Sequence, residues 1–251
     1  MKTAIVTGAS SGMGREFVRQ IQSLYPDIFE IWMIARREEK LKELPGNPIP
    51  LKIYPFDLTK ETDQLRYKEE LERQRPQISL FIHCAGMGIL GRMDQIAPKD
   101  QIQEVRLNCE ALTAVTLYTL PYMKKGGRII ELVSSAAFAP QPGFGVYAAT
   151  KAYALSFTRT LRAEMKKRQI FVTAICPGPV NTPFLKEMER VKKRPAWKKI
   201  FLADPKKVVK KALRDSRKRK ELSVYGIGMK GWYLVSKMIP HKIVLAILSR
   251  E

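Results

Sequence analysis

The sequence predicts an α/β fold, a doubly wound parallel sheet of about seven strands with helices on both faces. Two observations carry this. Short apolar runs alternate with longer stretches of helical periodicity along the 251 residues, the signature of repeated βαβ units. A chain of this length that is 45% hydrophobic can also bury one large core, so residues 1–251 read as a single domain. No internal repeat or low-complexity linker divides it.

Taken in order, residues 3–7 read as a buried strand, 13–24 as a helix, 28–35 as a second strand and 37–43 as a short helix. A third strand follows at 49–56, a helix at 62–74 and a strand at 78–83. Residues 98–120 read as one long helix whose polarity fades towards its end, and 128–133 as the next strand. A helix opened by Tyr147 runs to about residue 168, and a strand follows at 170–176.

The chemistry concentrates in the stretch from Ser134-Ser135 to Tyr147-Ala148-Ala149-Thr150-Lys151. With Tyr147 opening a helix, Lys151 lies one turn on along the same face, so phenol and ammonium can share a site. A phenol alone titrates near pH ~10, and a cation held beside it favours the phenolate, moving that value towards the operating pH. This suits the interconversion of a carbonyl and an alcohol, with a serine hydroxyl hydrogen-bonding the substrate oxygen as charge develops.

A second signal lies in the first crossover. Thr7-Gly8-Ala9-Ser10-Ser11-Gly12-Met13-Gly14 sits between a strand and a helix, where glycines let the backbone turn tightly and approach a pyrophosphate at the helix N-terminus. Residues Gly8, Ser10, Ser11, Gly12, Met13 and Gly14 are the candidate cofactor contacts there. An ordinary strand-to-helix turn is the plainer alternative, and the flanking periodicity favours the dinucleotide reading.

Thr-Gly-x-x-x-Gly-x-Gly at Thr7 to Gly14, a serine about a dozen residues before Tyr-x-x-x-Lys, and Pro177-Gly178 after the next strand together resemble the short-chain dehydrogenase/reductase family. The resemblance covers about residues 1–185. It implies a Rossmann-type fold, a nicotinamide cofactor and hydride transfer to or from a carbonyl carbon. By the same resemblance Tyr147 is the catalytic acid/base, Lys151 lowers its pKa and holds the nicotinamide ribose, and Asn108 supports a proton relay to the lysine. Ser135 is assigned as the substrate-orienting hydroxyl, on the assumption of a loop one residue shorter than usual; Ser134 stands thirteen positions before the tyrosine, the spacing usual in the family. The family's Asn-Asn-Ala-Gly appears as His83-Cys84-Ala85-Gly86, which keeps the small surface of Ala85 and Gly86 beside the cofactor but replaces the polar pair. His83 reads as structural. Asp57 and Leu58 match an adenine-contacting pair, Val180 a backbone contact and Thr182 the hydroxyl that meets the nicotinamide carboxamide, in a segment that begins at Pro177 and Gly178. The resemblance also implies a homodimer or homotetramer, since relatives commonly pair subunits through the two long helices after the fourth and fifth strands.

At the end of the second strand, Ile34-Ala35-Arg36-Arg37 supplies two arginines and no acid. A carboxylate there would take a ribose 2′-hydroxyl, whereas a guanidinium suits a 2′-phosphate, so Arg36 and Arg37 favour NADP(H) over NAD(H).

The remaining features concern partners. The chain carries 45 Lys and Arg against 24 Asp and Glu, a formal charge of +21, which implies an anionic partner. Residues 186–230 hold seventeen Lys and Arg against five Asp and Glu, a surplus of twelve. Residues 184–204 fall where relatives place a substrate lid, with Phe184 and Trp197 apolar among lysines. Beyond it, residues 205–251 form a basic and then apolar extension, and 232–248 are interrupted by Lys237, Pro240, His241 and Lys242. Its apolar pieces are too short to span a bilayer. Helices packed over the substrate pocket, a subunit contact and an interfacial helix on anionic lipid are the three readings left. Neither zinc-finger spacing nor an aromatic RNA-binding motif occurs, which argues against nucleic acid. Cys84, Cys109 and Cys176 lack metal-ligand spacing, read as reduced core residues, and imply no metal. The opening residues run straight into a strand pattern without a charged, apolar leader, so a cytoplasmic protein is expected, with peripheral membrane contact as the alternative. The expected function is an NADP(H)-preferring oxidoreductase acting on a carbonyl or secondary alcohol of a hydrophobic small molecule, one with an acyl or phosphate-bearing part. The competing readings are a catalytically silent nicotinamide-nucleotide-binding regulator and a membrane-surface-associated binding protein.

Overall fold

The apolar run at the start of the chain forms β1 (Lys2–Thr7), in which Ala4, Ile5 and Val6 are wholly buried. The structure is a computed structural model that describes residues 2–44, 48–193 and 202–248. β1 leads through the glycine-rich turn into α1 (Gly12–Leu24), whose Phe17, Val18 and Ile21 face the sheet. Gly8 and Gly12 adopt φ of +65° and +54°, a region that side chains with a Cβ rarely enter. A Cβ at Gly14 would strike the carbonyl of Gly8, so the turn and helix can approach only with glycine there.

The βαβ pattern then continues through β2 (Glu30–Ile34), α2 (Glu38–Lys42), β3 (Leu51–Tyr54), α3 (Glu61–Gln74) and β4 (Gln77–His83). After α4 (Pro98–Val105) and α5 (Leu112–Thr119) come β5 (Met123–Leu132), α6 (Gly145–Glu164) and β6 (Phe171–Ile175). The chain closes with α7 (Phe184–Met188), α8 (Pro205–Arg217), β7 (Leu222–Ser223), α9 (Ile227–Met238) and α10 (His241–Leu248). All seven strands are parallel, in the order β3-β2-β1-β4-β5-β6-β7. The order reverses direction at β1 and β4, which places a crevice at the C-terminal ends of those strands.

One core lies on each face of the sheet. Phe17, Val18 and Ile21 of α1 meet Val208, Val209, Ala212 and Leu213 of α8 on one side. Tyr67 and Leu71 of α3, Val115 of α5 and Leu161 of α6 cover Ile5, Trp32, Phe81 and Ile129 on the other.

Two expectations change here. The long helix expected over residues 98–120 is divided, because Arg106–Ala111 forms a π-helical turn between α4 and α5 and Leu120–Tyr122 a 3₁₀ turn after them. The region from residue 205 onwards, read as an extension, contributes α8 and β7 to the body of the fold. The lysines of α8 point outwards while its valines, alanine and leucine pack on α1, so a run dominated by charge conceals an apolar stripe. The expected lid residue Trp197 lies outside the described residues.

Phe81, wholly buried in β4, should report on this core. Phe81→Ala is expected to cost about 3–5 kcal/mol, read as a lower urea midpoint with an unchanged denaturant slope.

Candidate active site

The carboxyl ends of the central strands open into a cleft of about 1330 Å³ that stretches from Arg36 and Arg37 past the glycine turn to Tyr147. At its β2 end, neither arginine pairs with an acidic side chain among the described residues, and Arg37 Nη2 donates to Ser11 Oγ at 3.4 Å. Ser11 is the N-cap of α1 but makes no side-chain cap bond, so the first amides of that helix stay available to an anion in the cleft. Asp57 and Leu58 also line this end. Asp57 Oδ1 accepts from the backbone N–H and hydroxyl of Thr59, which fixes the carboxylate in place.

The floor of the cleft is held by Thr7. Its Oγ1 accepts the N–H groups of Cys84 and Ala85 at 3.1 and 3.0 Å and lies 3.3 Å from His83 Nδ1. Thr7 thus anchors the backbone of this segment, and with two N–H groups already accepted its own hydrogen goes to the imidazole. Burial holds His83 at about 3, well below its ordinary value, so the ring is neutral and structural. Gly8 approaches this segment closely: a Cβ on it would lie 2.9 Å from the Cys84 carbonyl oxygen. Across the cleft, Gly12 faces the Thr182 side chain, and Pro177, Gly178 and Val180 continue the same wall.

Tyr147 sits in the first turn of α6 as its third residue, since Gly145 opens the helix. Phe144 stacks on it at 4.2 Å between ring centroids and Phe184 lies 6.0 Å away. Lys151, one turn on, is only 4% exposed; its Nζ donates to the Leu132 carbonyl at 2.9 Å and lies 5.6 Å from the Tyr147 ring centroid. Gly86 leaves the space in which these groups meet, because a Cβ there would be 3.4 Å from Lys151 Nζ and 3.2 Å from Asn108 Oδ1. Asn108 falls in the π-helical turn, which turns it inwards. Its Oδ1 accepts from Met87 N–H at 2.9 Å, and its Nδ2 donates to the Met87 carbonyl and to Thr150 Oγ1 at 2.7 and 3.0 Å. It therefore ties the cleft-lining loop to α6.

The two candidate serines, Ser134 and Ser135, are held differently. Ser134 lies close enough for its side chain to pull the Tyr147 value down, whereas Ser135 starts a 3₁₀ turn, Ser135–Phe138, and is held through its backbone N–H by the Pro177 carbonyl. Ser134 is extended (φ −177°, ψ 158°) and caps that turn by accepting from Ala136 N–H. One expectation changes. Burial pushes the Tyr147 phenol above its ordinary value, the Ser134 hydrogen bond pulls it down and Glu104 raises it further. Burial outweighs the expected lowering by Lys151, whose own value falls to about 8 for the same reason.

Two carboxyls went unnoticed in the sequence. Glu104, 1% exposed, accepts the Ile89 N–H at 2.7 Å and is raised by burial to about 7. Glu131, the register partner of His83, accepts from Thr116 Oγ1 at 3.1 Å through one oxygen while the other is buried without a partner. Burial raises Glu131 to about 8, and it supports the charge of Lys151. A single buried acid near the end of a strand gives no periodic signal. Met229 and Trp232 of α9 complete the cleft beside Tyr147's end, at a sequence distance that hid them.

The sequence profile of the family described as short chain dehydrogenase matches residues 2–193. An uncharacterized oxidoreductase of Staphylococcus epidermidis is 29% identical over 185 residues, covering 72% of this chain and 79% of its own. A fatty acyl-CoA reductase of Acinetobacter baylyi is 28% identical over 192 residues, covering 73% of this chain and 64% of its own. Among solved structures, a short-chain dehydrogenase from Sphingobium yanoikuyae in complex with NADPH superposes with a TM-score of 0.80 at 22% identity, over 95% of this chain and 94% of that one.

Glu131 makes a pH prediction. Its folded value of about 8 lies above the ordinary 4.5, so the stability it allows is full below about pH 4.5 and is lost as pH rises towards 8. Glu131→Gln removes that dependence. The melting temperature of the variant is expected to gain on that of the parent between pH 5 and about pH 8.5, measured by thermal denaturation across buffers.

Proposed function

Because the chain belongs to the short chain dehydrogenase family, we propose that this NAD(P)-dependent oxidoreductase prefers NADP(H) and interconverts a carbonyl and a secondary alcohol on a hydrophobic substrate. The observation that carries the reading is one cleft with a glycine cradle and, at one end, two arginines without an acidic partner among the described residues, and a phenol, a serine hydroxyl and a buried ammonium at the other. The cradle fits a nicotinamide nucleotide: Gly8 and Gly14 lie where a side chain would block close backbone approach, and one at Gly86 would crowd Lys151 and Asn108. When bound, that cofactor would supply the hydride acceptor or donor.

The protein's own groups do the rest. Ser134 and Tyr147 would hold the substrate oxygen from two sides by hydrogen bonds, and Tyr147 Oη would give up or take back the proton. Lys151 would hold the ribose and, when charged, favour the phenolate; Asn108 would fix the loop facing both. Arg36 and Arg37 would meet the 2′-phosphate, and Asp57 the adenine amine. Phe144, Phe184, Met188, Met229 and Trp232 would exclude water around the reacting carbon and give the pocket its preference for apolar substrates. One relative is named for a fatty acyl substrate, which agrees with such a pocket. Self-association into a homodimer or homotetramer is supported by Ile102, Val105, Leu117 and Tyr153, all apolar and exposed on α4, α5 and α6.

Steady-state NADPH oxidation with a panel of hydrophobic ketones and aldehydes tests the reading. Tyr147→Phe is expected to lower kcat by about 10²-fold or more while NADPH binding, followed by fluorescence, stays within about threefold. Ser134→Ala should lower kcat by about 10²-fold and Ser135→Ala by less than about threefold. The reverse order would return the role to Ser135, and cofactor binding without turnover on any substrate would favour a silent binding protein.

The cofactor preference is checked separately. Arg37→Glu is expected to raise KM for NADPH by about tenfold or more with little change for NADH, since a carboxylate repels the 2′-phosphate. Equal effects on both cofactors would remove Arg37 from that role.

A further inference from the structure

We propose that α9 and α10 dock this protein on an anionic membrane surface, with the outer face of α9 against the lipid while its inner face walls the substrate cleft. α9 is apolar on two sides. Inwards, Met229 and Trp232 line the cleft, Tyr233 packs on Phe138 with ring centroids 4.9 Å apart, and Ser236 is buried. Outwards, Ile227 is 89% and Met238 83% exposed, with Leu234 and Val235 exposed between them. Residues 227, 231, 234 and 238 recur at i, i+4, i+7 and i+11, so Ile227, Gly231, Leu234 and Met238 form one stripe along the helix. α10 repeats the division on a smaller scale: Val244 is buried while Ile243 and Leu245 are exposed.

Charge selects the occupant of this surface. From Leu222 to Leu248 the sequence contains Lys230, Lys237 and Lys242 and no aspartate or glutamate. All three lysines are exposed, and none forms an ion pair among the described residues, although Lys237 Nζ lies 4.4 Å over the Tyr233 ring. An exposed apolar stripe flanked by unpaired cations is the form taken by helices that lie in the headgroup layer of anionic lipid. A second copy of the same surface would bring like charges together with no carboxylate to offset them, and a phosphate backbone would make no use of four large apolar side chains. Crossing the bilayer is a different matter: among the described residues no helix is long and apolar enough. Resting on the proposed oxidoreductase reading, the two-sided α9 places the cleft beside the lipid from which an apolar substrate would arrive.

Vesicle flotation with the full chain tests the docking. The protein is expected to float with vesicles containing about one-third phosphatidylglycerol and to remain at the bottom with phosphatidylcholine alone. The triple variants Ile227→Gln/Leu234→Gln/Met238→Gln and Lys230→Gln/Lys237→Gln/Lys242→Gln should each reduce the bound fraction about tenfold, with melting temperature and NADPH binding unchanged. No flotation, or equal flotation of the parent and both variants, overturns the proposal. So does an apolar triple variant that turns a dimer into a monomer in sedimentation velocity while vesicle binding persists, since the occupant would then be a second copy. Loss of NADPH binding in the parent would count against the oxidoreductase reading alone, because flotation needs no cofactor.

Discussion

Burial of the Lys151 ammonium ties the site to the fold. An amine this enclosed cannot keep its charge unless polar groups replace the water it has lost. The Leu132 carbonyl at the end of β5 supplies one hydrogen bond, and Glu131, one residue earlier on the same strand, supplies a nearby carboxyl. Gly86 leaves room for the head of the side chain, and the π-helical turn brings Asn108 beside it. Helix, sheet and loop are therefore placed with respect to one cation. Even so, its value falls to about 8, close enough to neutrality that small changes in its surroundings decide its charge.

This explains why so much of the site could be read from sequence. The glycines at 8, 12, 14 and 86 are demanded by backbone conformation or close approach, and such demands leave residue-level traces. Tyr147 and Lys151 are legible for another reason: a spacing of four on a helix fixes that they share a face, whether the helix opens at Tyr147 or at Gly145. The alternation of apolar runs and helical stretches gave the sheet because strands buried on both faces must be apolar throughout. What escaped depends on tertiary contact. Ser134 and Ser135 are the same residue type side by side, and only the structure separates them, by the extended backbone of Ser134 and the Pro177 carbonyl that holds the amide of Ser135. Glu104 and Glu131 are charged residues by type, and only their enclosure makes them otherwise.

The second half of the chain was harder to read because its charge obscures its packing. α8 is dominated by lysine and arginine, yet Val208, Val209, Ala212 and Leu213 form a core stripe against α1. β7 has two residues, too few for any periodic pattern to appear, although it extends the sheet beyond β6. In α9 the difficulty is the opposite one. With apolar side chains on both sides of the helix, amphipathicity no longer marks the buried face, and only the contacts of Met229 with Gly178 and of Tyr233 with Phe138 show which side turns inwards.

The raised phenol and the lowered ammonium are two consequences of one enclosure, and the ammonium is the one that an entering anion would correct. Each group is displaced in the direction that suppresses its charged form, because water has been removed from around it. An anion entering the cleft restores part of what was lost. Negative charge near Lys151 raises its value, so the ammonium persists at neutral pH, and a persistent ammonium is the partner that a phenolate requires. A nicotinamide nucleotide brings several negative charges in its phosphates. Its binding along the cleft would raise the Lys151 value, and the restored ammonium would in turn oppose the upward pull of burial on the phenol.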